Sequence, residues 1–406
     1  MPWKKAYVIY LVYSGALSAL FGMIFTVSLV YQATTASLTP LQLVLVGTML
    51  EAAIFVCEVP TGVVADVYSR RLSIIIGVFL MGAGFLVEGS WPLFVPILLA
   101  QILWGVGYTF TSGATQAWIA DEIGEERAAG AYLKGAQVGQ LCGLVGLIAG
   151  TALGTVRVNL PILAGGGLFF ALGLFLILTM PENGFKPTPS TERTTWGKMW
   201  GTFRSGLGMV RRRPALSTIL GVGLFFGLYS EGFDRLWTPH LIQRFAIPEG
   251  QMVLWFGAIR GVEMLLSAAA NGLAERRLDI TRMRVLSQAI GLISLGLVAC
   301  LVLFASAQSL LLAVVGYWLI GIFRSLQYPL YMAWVNHRLE PQVRATVISM
   351  SSQVDAFGQI AGGPVVGAIA QAVSIPVGLY SSAALLSPVL LLFGRKSSQE
   401  EEVVEA

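Results

Sequence analysis

The sequence predicts an all-α integral membrane protein with about twelve spanning helices. Of its 406 residues, 55% are hydrophobic and only 12% are charged, whereas soluble domains carry about 25% charged residues. The apolar segments are long enough to cross a bilayer, which takes about 20 residues. Period-2 alternation, which a membrane barrel would need, is absent from the sequence. Lipid offers no partner for backbone groups, so the spans are expected to be helices.

The predicted spans follow the apolar segments in chain order. They are 7–31, 41–65, 72–90, 93–119, 129–155, 159–180, 215–243, 251–274, 285–305, 309–335, 345–370 and 375–393. The first segment is too long for a signal-peptide core and is not followed by a soluble chain, so we expect an uncleaved helix.

A polar linker divides the spans into two groups of six. Pro181, Gly184 and Pro187 end the sixth span, and apolar residues at helical spacing between 196 and 210 then predict an amphipathic helix on the cytoplasmic membrane surface. A partly ordered linker is the alternative. The predicted domains are an N-terminal half, the linker, a C-terminal half and an acidic tail, at 1–180, 181–214, 215–396 and 397–406.

The two groups show traces of an internal repeat. Glu126-Arg127-Ala128 follows the fourth span, and Val343-Arg344-Ala345 follows the tenth. Gln137 and Gln353 then occupy similar places in the fifth and eleventh spans. These matches predict two related six-helix halves with a substrate site between them.

Lys and Arg residues gather on one side of the predicted spans, with Arg157 and Arg244 on the other. The positive-inside rule therefore predicts cytoplasmic termini at both ends. This loop bias accounts for the net charge of +4, so no nucleic-acid partner is expected. His240 and His337 lie in different halves, and we expect neither a metal site nor a cofactor.

The most specific motif is a short charged loop between the second and third spans. Gly62, Asp66, Arg70 and Arg71 fall in the register G-x-x-x-D-x-x-x-R-R. This resembles the signature loop of the major facilitator superfamily of transporters, whose fold has twelve helices in two pseudo-symmetric halves. The resemblance implies that these residues, with Asp121, Arg127 and Arg344 in the related loops, act as a conformational switch.

Two stretches are similar to the superfamily branch of bacterial macrolide- and tetracycline-type efflux proteins. They are Glu58-Val-Pro60-Thr-Gly62-Val-Val-Ala-Asp66 and Ala120-Asp121-Glu122 with Glu126-Arg127. This resemblance implies an antiporter: proton-driven export of a drug-like amphipathic molecule by alternating access, with a role in antibiotic resistance. It implies a monomer in the bacterial cytoplasmic (inner) membrane, with small molecules, protons and lipid as partners. The alternatives are another carrier, for a lipid, siderophore or nutrient and including uptake by symport, or a polytopic membrane enzyme or receptor. No polar catalytic cluster points to an enzyme.

Ionisable residues within spans are costly and are therefore functional candidates. Glu51 and Glu58 lie seven residues apart on one face of the second span. The membrane part of this half carries no Lys or Arg, since Lys134 belongs to the cytoplasmic end of the fifth span, and a carboxylate without a cation in low dielectric tends to take up a proton. Both residues are candidates for proton coupling, and a structural hydrogen bond is the alternative for each.

Acids and bases alternate in the C-terminal half. At 1.5 Å per residue, Arg324 and Asp355 come out at the same height, about 15 Å above the cytoplasmic end, and are predicted to pair. Glu231 and Arg260 also share a level. The network is interpreted either as structural ion pairs or as a proton-coupling relay that exchanges partners. Its members are Glu231, Asp234, Arg235, Arg260, Glu263, Arg324 and Asp355.

Uncharged residues are predicted to complete a substrate cavity. A mixture of aromatic and amide side chains suits an amphipathic solute, although aromatic stripes at helical spacing also arise from packing alone. The candidates are Gln101, Trp104, Tyr108, Phe226, Tyr229, Gln327, Tyr328 and Tyr331.

Overall fold

The computed structural model describes residues 2–187, 197, 214–279, 282–338 and 341–393. Apart from residue 197, the predicted amphipathic helix lies outside this part of the chain, and so does the acidic tail. No strand occurs in the described ranges. The helices are α1 Pro2–Phe25, α2 Ser28–Thr34, α3 Pro40–Val67, α4 Arg70–Ser90, α5 Phe94–Thr111, α6 Ala114–Ile123, α7 Glu125–Val156, α8 Leu160–Thr179, α9 Pro214–Phe245, α10 Met252–Arg277, α11 Met283–Ser306, α12 Leu310–Arg338, α13 Pro341–Ala372 and α14 Ile375–Leu386.

The helices account for all the predicted spans. Within the described residues, eleven helical segments are long and apolar enough to cross a membrane. The remaining long helix, α13, has 32 residues and corresponds to the predicted eleventh span. Its sequence carries Ser351, Gln353, Asp355 and Gln359, which lower its hydropathy. The all-helical membrane fold is confirmed.

Three predicted spans are divided in the structure, the twelfth by a turn at Ser387 and the first and fourth as follows. The first is interrupted between α1 and α2, where the Thr26 hydroxyl donates to the Gly22 carbonyl at 2.6 Å. The fourth is interrupted between α5 and α6 at Gly113, whose φ of 69° is a left-handed value that favours glycine. Apolar periodicity continues through both breaks, so the sequence predicted uninterrupted helices.

The described helices belong to two compact units. The first comprises Met1–Leu38, Met49–Met199 and Pro248–Gly257, as far as these residues are described. Its core is a cluster of aromatic rings from four helices: Phe21 and Phe25, Phe85, Trp104, and Phe169. Burying such rings contributes much of the packing energy of a core.

In the first unit α1 packs along α7 with the two backbones in close contact. A side chain at Gly146 would collide with the Ala19 carbonyl, and one at Gly150 would collide with the Met23 carbonyl. Small residues allow this approach in the absence of a hydrophobic driving force between spans. Gly146 and Gly150, four residues apart in the fifth predicted span, therefore mark a helix contact.

The second unit comprises Thr39–Thr48, Trp200–Ile247 and Ala258–Ala406, again as far as described. Here α9 packs along α13, and a side chain at Gly362 would collide with the Leu228 carbonyl. The first and fifth predicted spans therefore pair in one unit, as the seventh and eleventh do in the other. This common arrangement agrees with an internal repeat.

Candidate functional site

A polar cavity of about 310 Å³ lies within the second unit, between α9, α12 and α13. Each helix contributes residues three or four apart, which share one helix face. The lining consists of Gly223, Phe226, Tyr229, Ser230 and Asp234 from α9; Arg324, Gln327, Tyr328, Tyr331 and Met332 from α12; and Ile348, Ser351, Ser352, Asp355 and Gln359 from α13. It includes the C-terminal substrate-binding candidates that the sequence predicted.

Arg324 is the cation of this cavity. Its guanidinium makes a two-point contact with Asp234, in which Nη2 lies 2.8 Å from Oδ2 and Nη1 contacts Oδ1. The guanidinium carbon also lies 5.9 Å from the ring centre of Tyr229 and 5.8 Å from that of Phe233. Paired hydrogen bonds fix the plane of an arginine, and aromatic faces stabilise its charge.

Asp355 brings a second carboxylate to the cavity. Its Oδ2 accepts a hydrogen bond of 2.9 Å from the Gln359 amide one turn further along α13. Beside it, the buried Tyr331 hydroxyl donates to the Ile219 carbonyl at 2.9 Å and lies 2.7 Å from Ser351 Oγ. Arg324 and Asp234 neutralise each other, so an ionised Asp355 would leave the cavity with one net negative charge.

The ion pairs differ from those predicted. Arg324 contacts Asp234 instead of Asp355. Glu231, only 4% exposed, pairs with Arg235 one turn along α9 at 2.9 Å, whereas the sequence placed it level with Arg260. Counted from the predicted cytoplasmic end of its span, Asp234 comes out about 28 Å high, so neither the height of a side chain nor the direction in which it projects followed reliably from sequence. Gly47, which belongs to the same unit, packs against the Glu231 carboxylate.

Glu263 and Arg260 lie on α10, outside the lining of this cavity. Glu263 Oε1 accepts a hydrogen bond of 2.7 Å from Ser267, and its side chain contacts α12 at Gly321. Arg260 interacts electrostatically with Tyr317 of α12. These contacts connect neighbouring helices of the second unit.

The charged loop of the first unit is held by ion pairs and helix capping. Arg70 pairs with Asp121 and also donates to the Ala117 carbonyl at 2.9 Å. Glu182, which the sequence analysis overlooked, accepts from the Ser69 hydroxyl at 2.6 Å and from the Arg71 amide at 2.8 Å. A carboxylate at a helix N-terminus is favoured by the helix dipole.

The other switch candidates have simpler surroundings. Gly62 has open space where a Cβ would project, so packing in this structure does not require glycine there. Asp66 is half-buried in the last turn of α3. Arg127 lies 5.0 Å over the Trp3 ring and donates to the Ile123 carbonyl at 3.2 Å. The side chain of Arg344 lies outside the described residues, so its predicted role stays a prediction.

The proton-coupling candidates of the first unit lie on α3. Glu51 is half-buried and Glu58 is exposed. Both act electrostatically on Tyr108 of α5, whose side chain is 40% exposed. These three residues, predicted from separate spans, are therefore brought to one region of the unit.

Gln101 and Trp104 occupy a packed interior instead of a cavity wall. They are 2% and 8% exposed, and Trp104 Nε1 donates to Gln101 Oε1 at 2.9 Å. Gln101 Nε2 in turn donates to Glu88 Oε2 at 3.2 Å. Glu88 was not among the predicted sites, although it is an acid within an apolar span, the same signal that identified Glu51.

The fold and the polar cavity among spanning helices define a multi-pass membrane transporter. The family model of the Major Facilitator Superfamily matches residues 11–298, and the chain belongs to that superfamily. It is 24% identical over 363 residues to the "Uncharacterized MFS-type transporter YxaM" of Bacillus subtilis (strain 168), covering 86% of each chain.

Solved structures agree on the fold. The nucleoside transporter NupG superposes with a TM-score of 0.76 at 14% identity, covering 96% of this chain and 98% of its own. A bacterial homologue of the human lysosomal transporter Spinster superposes with a TM-score of 0.75 at 14% identity, covering 98% and 97%. Identities this low establish the shared architecture and leave the substrate open.

Proposed function

We propose that this chain is a proton-coupled exporter of amphipathic small molecules. The observation that carries the proposal is the cavity of about 310 Å³ in the second unit, where aromatic rings surround a charged group of Asp234, Arg324 and Asp355. Ligand cavities typically combine apolar walls with a few polar groups that fix orientation. This composition suits a molecule with an extended apolar surface and a few polar atoms.

Different residues of the cavity wall offer apolar surface and hydrogen-bonding groups to a substrate. Phe226, Tyr229 and Tyr328 offer ring surface, while Gln327 and Ser352 offer groups that donate or accept hydrogen bonds. Arg324 is already engaged by Asp234. The Asp355 carboxylate is therefore the group best placed to bind a hydrogen-bond donor on the substrate.

Proton coupling is proposed for the carboxylates inside the spans. A proton on Asp355 would remove its charge and weaken its hold on a substrate donor, so proton and substrate would compete for one group. Loading the site with substrate on the cytoplasmic side and with a proton on the outer side would then drive export. The loop containing Asp66, Arg70 and Arg71 is proposed as the switch between these orientations.

The Lys and Arg distribution supports both termini in the cytoplasm, and the resemblance to a bacterial efflux branch supports placement in a bacterial inner membrane. The efflux branch that the loop sequences resemble, Glu58–Asp66 and Ala120–Arg127, supports export over uptake. A monomer is proposed because one chain supplies every residue that lines the cavity.

Dye efflux from a pump-deficient bacterial strain tests the proposal. Cells expressing the chain should extrude an amphipathic dye, and a protonophore should abolish the extrusion. Asp355→Asn should reduce efflux at least tenfold, whereas Glu125→Gln, an exposed acid at the start of α7, should behave like the parent. Efflux that resists the protonophore would contradict proton coupling. Accumulation of the dye in the cells would indicate uptake instead of export.

A further inference from the structure

The first unit contains a buried carboxylate that the proposed transport cycle has not used. Glu88, near the end of α4, is 1% exposed. Its Oε1 accepts a hydrogen bond of 2.8 Å from Gln32 Nε2, and its Oε2 accepts one of 3.2 Å from Gln101 Nε2. The carboxylate thus binds amides from two other helices, α2 and α5. Burying an ionised carboxylate is costly unless such donors stabilise it.

The side-chain amides of Gln101 and Gln32 differ in whether they can switch from donating to accepting a hydrogen bond at Glu88. Trp104 Nε1 can only donate a hydrogen bond, and it donates to Gln101 Oε1. Gln101 is therefore fixed with its NH₂ group toward Glu88 Oε2. The buried Oε1 of Gln32, in contrast, has no hydrogen-bond partner among the described residues.

This difference allows the site to hold either protonation state. When Glu88 is ionised, Gln32 donates to its Oε1. When that oxygen carries a proton, a turn of the Gln32 amide presents Oε1 as the acceptor of the new O–H group. Gln101 donates to Oε2 in both states, so neither state leaves the carboxyl group without partners.

We infer that Glu88 is a reversible proton-binding site, with Gln32 as the amide that responds to its protonation. Binding forms one O–H bond at Glu88 Oε1 and changes the charge of the side chain from −1 to zero. The inference deepens the proposed proton coupling and rests on it for its role in transport. At 1.5 Å per residue, Glu88 lies about 27 Å along α4 from Arg70, at the end remote from the charged loop.

The groups around Glu88 hold the backbone at the end of α4. From α2, the Tyr31 hydroxyl donates to the Glu88 main-chain carbonyl at 2.9 Å. From the α7–α8 connection, Asn159 Nδ2 donates to the Gly89 carbonyl at 3.0 Å, and the nearby Arg157 is exposed. From α8, Leu163 packs against Gly89. Main-chain hydrogen bonds on both residues hold the end of α4 in place while the carboxyl group titrates.

The consequence for the fold is a proton-dependent bond between α2 and α4. The Gln32 bond to ionised Glu88 is charge-assisted and stronger than a bond between neutral groups. Because α2 follows the break in the first span, protonation would change how firmly this short helix is held. Protonation would also weaken the Gln101 hydrogen bond to Glu88, and Gln101 in turn accepts from Trp104 in the aromatic core.

Infrared difference spectra of the purified full-length protein, recorded between acidic and alkaline samples, test the site directly. The C=O stretch of a protonated carboxyl group should contain a component that Glu88→Gln removes. Glu125→Gln and Tyr31→Phe should keep that component. Gln32→Leu should move it to higher wavenumber, because the acid loses its hydrogen-bond acceptor.

Identical spectra for Glu88→Gln and the parent would overturn the inference. If Glu88→Gln does not fold, Gln32→Leu decides, and an unmoved band overturns it. The readout needs neither substrate nor direction of flux. If Glu88 titrates but efflux resists a protonophore, the proton-binding site is supported and the proposed coupling is refuted. If efflux is sensitive to a protonophore but no Glu88 band appears, the coupling is supported and the Glu88 site is refuted.

Discussion

Arg324 combines three interactions that no other side chain in the described cavity lining combines. It meets the Asp234 carboxylate at two points and lies over two aromatic rings, Tyr229 and Phe233. Its side chain is 31% exposed and that of Asp234 is 42% exposed, so the cavity leaves both partly open to solvent. The pair is therefore worth more than a surface salt bridge and less than a fully buried one.

Removing one partner tests how much the Arg324–Asp234 pair contributes to the free energy of unfolding. Arg324→Gln should lower the free energy of unfolding by about 1–3 kcal/mol, because Asp234 keeps its charge without its cation. The double change Arg324→Gln with Asp234→Asn should recover part of that loss. Thermal unfolding in one detergent measures both variants, and equal melting temperatures for Arg324→Gln and the parent would contradict the prediction.

At this scale the sequence identified the ionisable residues better than their partners. It predicted that Arg324 lies in an ion pair, yet chose Asp355 where the structure has Asp234. Counted from the predicted cytoplasmic end of the seventh span, Asp234 comes out about 28 Å high, well above Arg324, so the height estimate excluded the acid that the structure pairs with it. The same limit explains Gln101, whose place on the span was predicted but whose partner, Glu88, was overlooked.

Glycines permit the closest helix contacts in both units. In the first unit α7 presents Gly146 and Gly150 to the backbone of α1, and in the second α13 presents Gly362 to α9. The four-residue spacing of Gly146 and Gly150 is visible in the sequence and is typical of a helix contact surface. The breaks after Phe25 and Thr111 are not visible there, because the apolar pattern continues across them.

Two glycine substitutions separate packing from helix propensity. Gly146→Ala should destabilise the protein by about 1–3 kcal/mol, because the new methyl group collides with the Ala19 carbonyl. Gly167→Ala on α8 should be neutral or stabilising by up to about 1 kcal/mol, since its Cβ would meet open space. Melting temperatures of the two variants provide the measurement, and the same value for both would refute the role of Gly146.

The whole molecule is organised as two units that repeat one pairing of helices. The α1–α7 pair of the first unit corresponds to the α9–α13 pair of the second. The sequence contained this repeat only as faint matches, such as Arg127 with Arg344. Composition and span length predicted the fold class. The contacts of the functional side chains could not be predicted in the same way, because their partners are distant in sequence.

The charged loop is expected to control transport more than stability. Asp66→Asn keeps the size of the side chain and removes its charge, and Asp66 is only half-buried. The variant should therefore fold normally while dye efflux falls at least tenfold. Expression level, melting temperature and efflux are measured together, with Glu125→Gln as the control. Normal efflux by a well-expressed Asp66→Asn protein would exclude the switch role.

Coupling is the remaining property of the whole molecule, and Glu51 is the candidate on α3. Glu51→Gln imitates a permanently protonated side chain. If Glu51 carries the transported proton, the variant should still exchange substrate down a gradient but fail to concentrate it. Proteoliposomes with an imposed pH gradient compare uphill transport with counterflow in the same preparation. Asp355→Asn should instead impair both modes, because that carboxylate lines the cavity. Undiminished uphill transport by Glu51→Gln would transfer the coupling role to Glu58 or to the acids of the second unit.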